Sequence, residues 1–197
     1  PGTVFRNNGN MGLPLCLFAF GDEGLALGIS IFVISSLGNF TLGMAVVSGK
    51  MSPKEIAKTP AIWVTLAALL FLLGDIEPPG WLANTTKIIG GMSIPLMLIA
   101  LGVSLSRLRI ESAGRSLILA VMRLGLGFGI GVLLAWLFGL EGAARGVLIL
   151  QCAMPAAVIN YIIAVRFERC AVEVAGLVVA STLISFATLP LLLYFVI

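Results

Sequence analysis

The run Leu148 to Arg166 is apolar and long enough to cross a bilayer as a helix, yet Pro155 sits near its middle. Proline removes a backbone donor and clashes with the preceding turn, so a helix is expected to open around Pro155 to Asn160. A backbone group freed in hydrocarbon costs several kcal/mol, so such an opening survives only where protein or a water-filled cavity surrounds it. A second run, Arg6 to Asp22, carries Pro14 midway between its flanking charges. Two broken spans are therefore expected, with both breaks near the bilayer midplane, where transporters bind their substrates.

The rest of the 197-residue chain fits a membrane setting: 59% of it is hydrophobic and only 11% charged. Apolar runs separated by short charged loops give an all-α polytopic membrane protein with about seven spans, at roughly 3–21, 24–47, 60–74, 84–105, 115–138, 143–165 and 171–196. Histidine is absent, and Cys16, Cys152 and Cys170 match no zinc or redox spacing, so no metal, no cofactor and no disulfide framework is expected. No nucleophile–base pair and no paired intramembrane acids stand out, which speaks against an enzyme. Gly125, Gly127, Gly129 and Gly131 lie inside an apolar span with no strand before them, so they form small-xxx-small packing patterns and no nucleotide loop.

The net charge of +3 is small, and the basic residues cluster in particular loops, so they report topology and no nucleic-acid partner. With Arg6 cytoplasmic, that side also collects Lys50, Lys54, Lys58, Arg107, Arg109, Arg115, Arg166 and Arg169, and the other keeps Lys87 and Arg145. The chain also resembles itself. Ser35-Ser36-Leu37 matches Ser181-Thr182-Leu183 at an offset of 146. Each half pairs a broken span with an unbroken one, and the two broken spans are five spans apart, which inverts them. An inverted five-helix repeat with crossed broken helices requires ten spans, so three more are expected ahead of Pro1.

Each break leaves a half-helix whose N-terminus points at the membrane centre with about half a positive charge. Such ends attract an anion, and Asn7, Asn8, Asn10, Pro14, Pro155 and Asn160 are the candidate substrate-binding residues. Neither break contains a carboxylate to take up a cation. Arg123, about eight residues into its span, is either linked to substrate or coupling, or a structural residue that snorkels or holds a carbonyl. Glu173 reads as a helix N-terminal acid near the interface.

Asn7-x4-Gly12-Leu13-Pro14-Leu15 with Phe20-Gly21 resembles the broken fourth helix of the auxin efflux carrier family, which includes plant auxin exporters and bacterial malate or malonate permeases. Gln151-Cys152-Ala153-Met154-Pro155 through Phe167-Glu168, continued by Leu189-Pro190-Leu191, resembles its ninth and tenth helices, and Ile94-Pro95-Leu96-Met97 its seventh. The resemblance implies ten helices in two inverted repeats, an elevator-type transport part moving against a scaffold, and a homodimer. Residues 1–47 would close the first repeat and 60–197 form the second, with 60–105 scaffold and 115–197 transport part. The plant exporters place a second proline where this chain has Asn160, so a bacterial-type permease for malate, malonate or another organic anion, in the plasma membrane of a bacterium, fits better than an auxin carrier. The alternatives are a carrier like the bile acid:sodium symporters and a ligand sensor of the same fold that does not transport.

Overall fold

The computed structural model describes residues 5–38, 60–74, 76–106, 113–166, 168 and 170–196. Within these the chain is helical throughout, apart from its turns and two short crossing segments. A π-helical turn, Asn8–Gly12, leads into α1 (Leu13–Gly38), followed by α2 (Pro60–Leu73), α3 (Gly80–Ser106), α4 (Ala113–Leu137), α5 (Gly142–Cys152), α6 (Ile159–Arg166) and α7 (Ala171–Val196). The ends among the described residues fall within a few residues of those read from the apolar runs, because charges, glycines and prolines punctuate them, and the expected start at 3 and end at 47 lie outside the described residues. Lys50, Lys54, Lys58, Arg107, Arg109 and Arg169 lie outside the described residues.

Helix α1 is a hairpin. Gly21, at φ 63° and ψ −152°, breaks it in a left-handed conformation that glycine adopts without a Cβ penalty. The amide of Asn8 then reaches Ser35 Oγ at 3.3 Å although the two are 27 residues apart; in a straight helix they would be separated by about 40 Å. Small residues let the arms close: a Cβ at Gly24 would fall on the Cys16 carbonyl, and one at Gly28 on the side chains of Cys16 and Leu13. Phe32 covers Gly9 at the open end.

Helix α7 is the spine of the second half and packs against α4, α6 and α5. Its buried stripe of Val174, Leu177 and Val178 meets Ala120, Ala156 and Ala164. A second cluster joins Met11, Leu150, Met154 and Leu189 to Leu101 near the end of α3, which is how α3 is held to the broken segments. Arg115 and Glu173 pair at 3.8 Å across the starts of α4 and α7, both well exposed, so the pair adds little stability. Elsewhere the outward faces are apolar, with Trp63, Leu70, Trp81, Ile88, Met92, Leu126, Trp136 and Phe195 all exposed. An apolar surface this extensive belongs in lipid.

The four glycines of α4 divide by face. A Cβ at Gly127 would strike the Cys152 carbonyl oxygen, and one at Gly131 would lie 2.9 Å from Cys152 Cβ, whereas Gly125 and Gly129 meet nothing within 4 Å. One of the two interleaved patterns therefore seats α5, and the other faces outward.

Candidate functional site

The two breaks meet. Helix α5 stops at Cys152, ahead of the proline, since a residue before proline is disfavoured in helical conformation, and the helix resumes as α6 at Ile159. Residues 153–158 are thus extended or turned. Residues 5–7 cross them, and Arg6 pairs with Ala156 in an isolated antiparallel bridge. Asn7 N–H donates to the Pro155 carbonyl at 2.9 Å, and Ala157 N–H donates to the Phe5 carbonyl at 3.0 Å. Ala156 N–H finds Ser181 Oγ at 3.1 Å. Each backbone lends the other the partners that its own helix cannot supply, which is what an interruption inside a membrane requires.

The first break therefore lies upstream of its expected place. Pro14 is the second residue of α1, fully buried directly after the π turn, whose i→i+5 bond from Leu13 N–H to the Asn8 carbonyl carries the helix into α1 without a break. Arg6, read from the sequence as a cytoplasmic flanking charge, is instead a residue of the crossing itself.

Depth follows from helix lengths. The 11 residues of α5 carry the chain about 16 Å from Gly142, and the 8 residues of α6 carry it about 12 Å to Arg166. In a hydrocarbon layer of about 30 Å the crossing then falls near the middle.

Asn160 is the latch of this crossing. Its Oδ1 accepts Phe5 N–H at 3.0 Å, while Nδ2 donates to the Phe5 carbonyl at 2.7 Å and the Ala157 carbonyl at 2.9 Å. Arg123 reaches the same Phe5 carbonyl from α4 through Nη2 at 3.3 Å. Holding a carbonyl was one of the two readings open for Arg123, and this contact is of that kind.

Beside the crossing lies a cavity of about 270 Å³ lined by Phe5 to Asn10, by Phe32, Ser35 and Ser36 of α1, and by Ala157, Val158 and Ile159. Of the residues anticipated from sequence, Asn7, Asn8 and Asn10 line it. Pro14, Pro155 and Asn160 are buried behind the wall. The leading ends of both helices that leave the breaks, at residues 8–10 and 157–159, border the same space, so their dipoles favour negative charge there. Asn7 Nδ2 and Asn8 Oδ1 are buried without a hydrogen-bond partner among the described residues. Sequence reasoning missed Arg6 and Ser181 at the crossing and Phe32 on the cavity wall. Ser35 and Ser181 had been visible in the internal repeat, and each proves to bond the broken segment of its own half.

Gly12 fixes how α1 meets α5. A Cβ there would sit 2.7 Å from Gln151 Oε1, and Gln151 is wholly buried. Gly12→Ala is expected to lower stability by about 1–3 kcal/mol through overpacking. Thermal unfolding of Gly12→Ala in the parent and in a Gln151→Ala background checks this, since the glycine substitution should cost much less once the Gln151 side chain is gone.

Residues 35–193 match the family described as Membrane transport protein. An uncharacterized transporter of Methanothermobacter thermautotrophicus is 25% identical over 195 residues, covering 96% of this chain and 64% of the relative. One from Methanocaldococcus jannaschii is 23% identical over 200 residues, covering 96% of this chain and 65% of the relative. The chain thus spans about two-thirds of the length of the curated relatives it matches. No solved structure matches it. With most of its length inside that match, the chain belongs to the Membrane transport protein family, the auxin efflux carrier group that its broken spans resemble.

Proposed function

We propose that this protein is a secondary carrier for a small organic anion such as malate, malonate or another carboxylate, bound in the cavity beside the crossing. The observation that carries this reading is the hydrogen-bonded crossing of two broken segments near mid-depth, with two helix N-termini bordering one cavity. Anion over cation is favoured because no carboxylate among the described residues lines that cavity. In this reading the unit of α1 and α4–α7, tied together through the crossing, moves as an elevator against residues 60–105 in a plasma-membrane homodimer. Flux tests the proposal: proteoliposomes containing the full-length protein should take up labelled malate or malonate in a saturable manner. Saturable binding without accumulation would assign a sensor, and flux that requires sodium would assign a symporter.

A further inference from the structure

Arg6 stands apart from every other charge in the described residues. Its backbone is pinned by the bridge to Ala156, so its position is set by the crossing and not by its side chain. The side chain is half-buried, lines the cavity, and has no hydrogen bond or ion pair to a described residue. A cation near the bilayer centre is costly unless something compensates it, and compensated charges there mark substrate pathways. Arg123 adds a second positive charge close by, occupied with the Phe5 carbonyl. Asparagine amides and two serines complete the polar part of the wall, and none of them carries negative charge. Among the described residues no counter-charge lines the cavity, and an anionic ligand would supply one.

We propose that Arg6 is the specificity-determining residue of this cavity: its guanidinium takes a carboxylate of the ligand through paired N–H donors and makes the cavity select anions. The planar fork matches a carboxylate in two parallel hydrogen bonds, which a helix dipole alone cannot offer. This rests on the reading of the cavity as the substrate site, but it is testable without knowing the substrate.

In full-length protein carrying Cys170→Ser, which removes the exposed thiol, Ser36→Cys places a reporter on the cavity wall, while Cys16 and Cys152 stay buried. Its reaction with an anionic sulfonatoethyl methanethiosulfonate is compared with that of the cationic trimethylammonium analogue, each relative to a free thiol in solution. The ratio cancels any change in thiol acidity. A focused positive field should favour the anionic reagent by about tenfold or more. Arg6→Gln should lower the ratio severalfold, leaving the smaller share due to Arg123 and the helix ends, and Arg6→Lys should preserve it. Arg6→Met serves the same purpose if the glutamine variant does not fold. A ratio unchanged by loss of the charge overturns the proposal, as does a reporter that neither charged reagent reaches but a small neutral one does. Absence of carboxylate flux alongside an Arg6-dependent ratio would instead overturn the transport reading and leave this one standing.

Discussion

Asn160→Ala is expected to destabilise the protein outright, and not merely to weaken a ligand. Three hydrogen bonds leave with the amide, to Phe5 N–H, to the Phe5 carbonyl and to the Ala157 carbonyl. The two carbonyls keep other donors, from Ala157 N–H and Arg123 at Phe5, and from Asn160 N–H at Ala157. Loss of the three hydrogen bonds costs about 0.5–1.5 kcal/mol each, and the small void adds to that. Asn160→Asp is the sharper variant. It keeps an oxygen for Phe5 N–H but turns the donating nitrogen into a second oxygen facing two carbonyls. Ionised, it would bury a charge against like dipoles; protonated, it could serve only one of them. Thermal unfolding in detergent should therefore place Asp no higher than Ala, and both well below the parent. An aspartate variant as stable as the parent would mean that the amide is not the latch.

The same residue shows where the sequence stops being legible. That an amide at the depth of Pro155 has work to do follows from the cost of polar groups in hydrocarbon. Which work is decided by Phe5, 155 residues away, and no local pattern announces that partner. The second break was legible because proline acts on its own turn, and α5 does end just ahead of it. The first was misplaced for the complementary reason. Pro14 occupies a helical turn that tolerates it, while residues 5–7 open with no proline at all, held by bonds to residues 155–160. Arg6 was hidden by the same gap. A charge at the edge of an apolar run reads as an interface charge, and only the crossing shows that it stands near mid-depth. Span ends needed no such partner, and neither did the reversal at Gly21, since the charges of Asp22 and Glu23 mark that turn.

Glycine spacing in α4 poses the remaining ambiguity, because an i, i+2, i+4, i+6 series offers two faces and the sequence does not choose between them. The structure chooses Gly127 and Gly131. Gly127→Ala would push a methyl group onto the Cys152 carbonyl oxygen, which is backbone and cannot swing aside as a side-chain tip would. Cys152 ends α5 immediately before the break, so displacing it shifts residues 153–155 and strains the bond from Asn7 N–H to the Pro155 carbonyl. Overpacking of this kind costs about 1–3 kcal/mol, and the coupling to the crossing places Gly127→Ala at or above the top of that range. Gly125→Ala and Gly129→Ala meet no atom within 4 Å. They should be neutral or slightly stabilising, since alanine is favoured over glycine inside a helix by up to about 1 kcal/mol. Four single variants, compared by thermal unfolding and by reaction of the Ser36→Cys reporter, separate the faces. Loss of stability should follow 127 and 131, with the reporter perturbed most by Gly127→Ala because that substitution moves the cavity wall. If Gly125→Ala or Gly129→Ala proved the more damaging, α4 would have to seat α5 on its other face, and the positions of Arg123 and Phe5 at the crossing would fall with it.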